Sequence, residues 1–303
     1  MSRLLFKRAR PGVRGVRGQI VTDIQNALGR AGHPVPTVDG LYGQDTQTAI
    51  ASFQKEQGLP ETGEVDDVTF QRLTNAAIPS VFLRSLQITA DYEGTGFGLA
   101  NGNFDGAGIT WGIVGFTFAN GELVRMLQEI DQRLPQVFPN AFGPLAARLR
   151  QVLAGSHADQ MAFANSISIG NGNHVAHDWD EAFHQLGADP GVRDIQLARV
   201  DTVYKKIADD NAVALGLQEE LSAALCFDVS VQNGGLKQSE VARVQQSTAG
   251  QSEKQKRRFI AELVADRSNP RFRKDVLDRK LSFANGAGTV HGDQYELDGW
   301  GLA

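Results

Sequence analysis

Residues 82–94 read Phe-Leu-Arg-Ser-Leu-Gln-Ile-Thr-Ala-Asp-Tyr-Glu-Gly, and residues 104–117 read Phe-Asp-Gly-Ala-Gly-Ile-Thr-Trp-Gly-Ile-Val-Gly-Phe-Thr. In the first stretch Phe82, Leu83, Leu86, Ala90 and Glu93 recur at helical spacing, so one apolar face ends on a carboxylate. The second lies in a segment, Gly94–Gly121, with nine glycines in 28 residues and one charged side chain, Asp105. So many glycines cannot continue a helix. They predict a loop and short hairpin, strand-like over Ile109–Phe118. From Glu122 the helical period returns, with helices expected around Ala146–Leu153, Asp180–Leu186, Gln196–Ala208, Glu219–Cys226, Glu253–Ala265 and Arg273–Leu281. The class predicted for residues 81–303 is mainly α (α+β), an α-rich domain with a small β-hairpin region near its start.

Cleavage of a glycosidic bond needs two carboxyl groups flanking it, one protonated and one ionised. Glu93, at the end of an apolar stripe, is expected to be desolvated, which favours the protonated role. Asp105 lies in a loop rich in backbone donors, which favours the ionised role. Taken alone, a Glu and an Asp twelve residues apart read as a helix-end carboxylate and a turn aspartate.

Upstream, Gln19–Leu28 carries a helical apolar stripe, and the prolines of residues 32–40 end it. Asp45 is expected to cap a second helix with Ala49, Ile50 and Phe53 inward, and Asp66 or Asp67 a third with Phe70 and Leu73 inward. The turn residues repeat. Asp39-Gly40-Leu41-Tyr42-Gly43-x-x-Thr46 recurs in weakened form as Gly63-x-Val65-Asp66-x-x-Thr69. Residues 76–80 read as a linker. The expected organisation is a basic tail over 1–12, a three-helix module over 13–75, the linker, and the larger domain over 81–303.

The chain of 303 residues carries 30 Lys/Arg against 35 Asp/Glu, a formal charge of −5. That argues against a nucleic-acid module driven by phosphate neutralisation. Six of the basic residues fall in the first 18, without the apolar core of a secretory signal, so this segment reads as a disordered tail or an arm for an anionic surface. The single cysteine, Cys226, excludes an intrachain disulfide and reads as a core thiol. No apolar run is long enough to span a membrane.

Residues 13–75, with the Asp-Gly loops and Thr caps quoted above, closely resemble the small three-helix peptidoglycan-binding domain of many cell-wall hydrolases. The resemblance implies wall binding and marks Asp39, Gly40, Tyr42, Gly43 and Thr46 as its signature. Residues 86–94, 104–117 and Asn120-Gly121-Glu122-Leu123 resemble the catalytic segment of chitosanases of glycoside hydrolase family 46, in the lysozyme-like superfamily. Downstream, Asp178, Phe183, Arg193-Asp194-x-Gln196, Tyr204 and Asp228-Val-Ser-Val-Gln232-Asn233-Gly234 follow the same order of landmarks. The resemblance implies Glu93 as general acid, Asp105 as the carboxylate that activates water, and Thr110 as a residue that holds that water, with inversion of configuration. The loop between Glu93 and Asp105 is shorter than in typical chitosanases, which leaves the shape of that side of the cleft open.

Trp111, Asp228, Gln232 and Asn233 stand as candidate substrate-binding residues: an aromatic beside Thr110, and polar groups at an apolar helix end. His174, His177, Asp178 and Asp180 lack the spacing of a zinc set, so no metal and no cofactor is implied. The stretch Gly94–Gly121, with Asp105 as its one charge, makes a poor sink for a polycation such as chitosan. With the wall module this favours a muramidase, cutting the β-1,4 bond between N-acetylmuramic acid and N-acetylglucosamine. The alternatives are a chitosanase or chitin-type glycosidase, a zinc amidase or endopeptidase, and a non-catalytic wall-binding protein. The expected setting is a monomer acting on bacterial peptidoglycan in the periplasm or outside the cell, released by a phage holin or a dedicated secretion system.

Overall fold

The computed structural model describes residues 2–94 and 96–303; Met1 of the basic tail and Thr95 of the glycine-rich stretch lie outside the described residues. The chain opens with strand β1 (Leu4–Phe6), helices α1 (Gln19–Arg30) and α2 (Gln44–Glu56), strand β2 (Val65–Asp66), and helices α3 (Asp67–Thr74) and α4 (Val81–Glu93). A three-stranded sheet follows, of β3 (Ala100–Asn101), β4 (Thr110–Trp111) and β5 (Phe116–Thr117). Next come α5 (Glu122–Arg133), α6 (Val137–Phe142), α7 (Ala146–Ala154), α8 (His157–Ile167), the hairpin β6 (Ser168–Ile169) and β7 (His174–Val175), α9 (His177–Ala188) and α10 (Pro190–Val200). The chain closes with α11 (Lys206–Leu215), α12 (Glu220–Asn233), α13 (Gln238–Ser247), α14 (Glu253–Arg267), α15 (Arg273–Asn285) and the hairpin β8 (Ala287–Val290) and β9 (Asp293–Glu296). The fold is mainly α. It divides into two compact units, Met1–Tyr92 with Tyr204–Ala303, and Glu93–Val203. These cut the chain differently from the motif boundaries: the N-terminal module shares a unit with the C-terminal helices.

Within the first unit, α1, α2 and α3 enclose Val21, Ile24, Leu28, Ile50, Phe53, Phe70 and Leu73. Asp66 caps α3, its carboxylate accepting from Thr69 N at 2.7 Å. Asp45 does not cap α2; Gly43 holds that position and Asp45 lies in the first turn. Two buried glutamines, Gln25 and Gln54, explain the repeated turn pattern. Gln25 accepts from Gly40 N at 2.8 Å and donates to Leu41 O and Thr46 Oγ1. Gln54 accepts from Gly63 N at 2.9 Å and donates to Glu64 O and Thr69 Oγ1. Each amide thus satisfies a buried turn and a helix entry at once, where an unpaired backbone group would be costly. Gly40 and Gly63 sit at φ 69° and 67°, where a side chain would be strained.

The basic N-terminal segment is not a disordered tail. β1 pairs antiparallel with β2, and Leu5 and Phe6 are buried. The cations find partners far along the chain: Arg3 with Glu220, Lys7 with Asp298 at 2.6 Å, Arg10 with Glu296, and Arg14 with both Asp91 and Asp293. Backbone bonds join Lys7 N to Gly299 O and Arg14 N to Gln294 O. The segment is a strap over the β8–β9 hairpin. Its charges are spent within the molecule, which corrects the expectation of an arm for an anionic surface.

α12 runs through the same unit with Leu221, Ala224, Leu225, Phe227 and Val229 buried. Cys226 is buried too, and burial pushes its thiol up to about 12, so it is a core group and not a nucleophile. The second unit is centred on packed rings. Phe142 meets Phe183 edge-on at 5.2 Å, and Phe163 meets Trp179 at 4.9 Å. The expected helix over Gln196–Ala208 is helical throughout, with α10 passing through a π-helical turn, Asp201–Lys205, into α11. No helix among the described residues is long and apolar enough to cross a membrane.

Candidate active site

The last turn of α4 is held from several sides. Thr89 donates to Asp228 Oδ1 at 3.1 Å. Asp91 accepts from Tyr295 OH at 2.7 Å and from Arg14. Tyr92 OH and Ser282 Oγ are 2.8 Å apart, and the Arg279 guanidinium stands 5.4 Å from the Tyr92 ring. Glu93 is the final residue of this pinned helix. Gly94, at φ 64°, ends it in the left-handed conformation typical of a residue just past a helix. Glu93 is exposed, which corrects the expectation of a desolvated carboxyl. The apolar stripe stays inside, but the helix end emerges into solvent.

Asp105 lies between β3 and β4. In the register Asn101 faces Thr110, and Thr110 faces Thr117 on β5, so Thr110 is on the central strand. Asp105 is exposed, and its Oδ1 accepts from Ala107 N at 3.0 Å. The loop is built on Asn103, whose N donates to Ser168 Oγ at 2.8 Å. Asn103 Nδ2 donates to Asn165 Oδ1 at 2.7 Å, and its Oδ1 accepts from Gly108 N at 2.8 Å. Gly102 is required by close approach. A Cβ there would lie 2.4 Å from Gly172 O and 2.5 Å from His174 O.

Strand alternation separates Thr110 from Trp111. Thr110 is half-buried, while Trp111 is fully buried, donates Nε1–H to Phe183 O at 3.1 Å and packs on the Phe183 ring. Trp111 is therefore a core residue, and the substrate-stacking expectation for it is wrong. Buried Gln196 braces the glycine-rich stretch at two points, donating to Phe97 O and accepting from Ile113 N, both at 2.9 Å. Partial burial opposes ionisation of Glu122, but bonds from Arg199 and Arg125 hold its carboxyl below the usual range.

Asp228 is also misread by sequence. It is wholly buried and accepts from Arg279 Nη2 at 2.6 Å and Lys280 Nζ at 2.5 Å. Burial alone would raise its pKa; the two cations hold it down at about 2. A carboxylate so enclosed cannot meet a polymer. Gln232 accepts from Lys280 Nζ at 2.6 Å, in the same cluster. Gln232 and Asn233 are half-buried on the last turn of α12. The bracing roles of Gln25, Gln54, Asn103 and Gln196 have no local signature, and Gln196 stood among the sequence landmarks without a role.

Most of the signature residues of the N-terminal module serve its fold, while Asp39 is exposed. Gly40, Tyr42 and Thr46 are buried, and Tyr42 OH donates to Gly63 O at 2.9 Å. Asp39 accepts from Gln25 and from Leu41 N. Its carboxyl is held below the usual range, chiefly by the Gln25 bond. An open cleft of about 250 Å³ lies elsewhere on the module, between His33, Pro34 and Pro36 and the face of α2 carrying Asp45, Thr48 and Ser52. His174 is exposed on β7 and His177 opens α9. No group of three His, Cys, Asp or Glu is gathered in a metal-binding arrangement among the described residues.

Comparison with known families matches residues 87–259 to the family described as "Glycosyl hydrolase family 46". The chain belongs to glycosyl hydrolase family 46. Residues 17–73 match the family described as "Putative peptidoglycan binding domain". Similar solved structures include a family 46 chitosanase of Gynuella sunshinyii in complex with chitotetraose, at 19% identity and TM-score 0.51, covering 73% of this chain and 98% of that one. The native chitosanase of Bacillus subtilis MY002 is similar at 18% identity and TM-score 0.50, with 73% and 99% covered. At this identity the likeness concerns the fold. No curated protein gives a match. As a member of this family the protein is a glycoside hydrolase with a mainly α fold, and its residues 17–73 are similar to a putative peptidoglycan binding domain.

Proposed function

We propose that the protein is an endo-acting hydrolase of β-1,4-linked glucosamine polymers, with chitosan as its first substrate class. Membership in family 46 is the observation that carries this reading. Charge supports it. The unit Glu93–Val203 holds twelve Asp/Glu against six Lys/Arg, a net −6, while the other unit is close to neutral at +1. A net-acidic unit carrying Asp105 attracts a polycation, which the short stretch Gly94–Gly121 taken alone did not suggest.

Glu93 acts as general acid on the leaving oxygen, and Asp105 draws a proton from water positioned with the help of Thr110. Glu93 is exposed without substrate, so a bound sugar ring covering it is what removes water from the carboxyl. Inversion requires the carboxyl groups roughly 6.5–9.5 Å apart across the bound chain. Glu93→Gln and Asp105→Asn should each lower kcat by about 10²–10⁴-fold with folding intact. Retained turnover in either variant removes that residue from the mechanism.

A second reading, cleavage of the peptidoglycan glycan strand, is favoured by the wall-binding match at residues 17–73. There the cleft beside His33 and Ser52 is the proposed wall contact, and the module raises local substrate concentration by tethering. Reducing ends released from chitosan, with none from purified peptidoglycan, support the first reading. The reverse outcome selects the muramidase.

A further inference from the structure

Phe104, immediately before Asp105, is 57% exposed. Its backbone is not loose. Phe104 N donates to Gly102 O at 3.0 Å, and Asn103 beside it is bonded to Ser168, Asn165 and Gly108. On the other side, a Cβ on Gly172 would stand 2.9 Å from the Phe104 Cα, so the β6–β7 turn lies directly against this backbone. Asn103 points its polar atoms inward, and the ring of Phe104 is left in water on a fixed base. A scattered apolar residue on a surface is ordinary. An aromatic ring clamped in an exposed position next to the proposed base is a prepared surface.

We propose that Phe104 is a stacking platform for one pyranose ring of the substrate strand. This rests on the glycosidase reading of Asp105. A β-linked pyranose presents axial C–H bonds on its faces and hydroxyls at its edge. The face suits an aromatic ring, which gives area at little entropic cost, and the edge stays available for polar partners. The platform carries no charge, so it takes glucosamine and N-acetylglucosamine rings alike. Discrimination between amine and acetamide is left to carboxylates elsewhere.

The test is calorimetric binding of the glucosamine hexamer and the N-acetylglucosamine hexamer to the full chain in the Glu93→Gln background, with Phe104 intact, Phe104→Ala or Phe104→Tyr. Steady-state kinetics on chitosan are run with Glu93 restored. Phe104→Ala should weaken both hexamers about tenfold and raise KM by a similar factor, with kcat within about threefold. Phe104→Tyr should restore both values to within about twofold. Unchanged affinity in a folded Phe104→Ala chain overturns the platform and leaves the hydrolase reading standing. A loss confined to the glucosamine hexamer also overturns it, since stacking does not read the amine. Failure of the parent chain to bind or cleave either hexamer overturns both.

Discussion

Asp228→Asn is the substitution with the largest expected effect on the fold. The carboxylate is 0% exposed and takes bonds from Arg279 Nε and Nη2, Lys280 Nζ and Thr89 Oγ1. Asparagine keeps one acceptor and places an N–H₂ group toward two cations, with no counter-charge supplied by the side chain. Breaking a buried ion pair by removing one partner costs about 3–5 kcal/mol. In a chain of this size that is a fall in Tm of roughly 5–8 °C. Calorimetric melting and urea unfolding at pH 7 measure it. Removing Lys280 as well should recover part of the loss, so Asp228→Asn with Lys280→Met should be more stable than Asp228→Asn alone. The pH dependence has a definite sign. A carboxyl whose pKa is depressed on folding stabilises the native state above its unfolded value, near 4. That contribution is lost as pH falls toward the folded value, about 2. The gap between wild type and Asp228→Asn should therefore narrow by about 1 kcal/mol between pH 7 and pH 3. A gap that stays constant, or a double variant less stable than Asp228→Asn, would refute the electrostatic account.

Three further outcomes follow from the packing. Gln54→Leu strands the buried Gly63 N–H and the Glu64 carbonyl. It should cost about 2–4 kcal/mol, read as early loss of amide-exchange protection confined to residues 40–74. Trp111→Phe should lower Tm while leaving KM for chitosan unchanged; a raised KM would return Trp111 to the substrate. Ser52→Trp, which fills the cleft beside His33 and Pro36, should reduce pelleting with insoluble cell wall without changing kcat on soluble chitosan. Equal pelleting would place wall contact elsewhere.

What was legible in sequence was local. Asp66 capping α3 and glycines at positive φ act within a few residues of themselves, so the three-helix module could be read from its turns. Helical period placed α4, and the glycine excess placed the loop of Asp105. Exposure was harder. The stripe ending on Glu93 told which face points inward but not that the helix runs out of core at its last residue. Trp111 and Asp228 were read as binding residues because each stood out chemically. Their partners, Phe183 and the Arg279–Lys280 pair, are 72 and about 50 residues away. The charges of residues 3–17 were plain, but nothing near them announced the carboxylates of 293–298.

Those last pairings impose an order on biosynthesis. The strap is synthesised well before the hairpin it clasps; Arg3 and Gly301 are bonded across 298 positions. The closure entropy of so long a loop grows only logarithmically, so the finished state bears little extra cost for the distance. The growing chain waits instead, with Leu5, Phe6 and a row of cations held apart from their final neighbours until residues 293–301 have emerged. Emergence of the β8–β9 hairpin, and not of the three-helix module, is the event that lets the strap close.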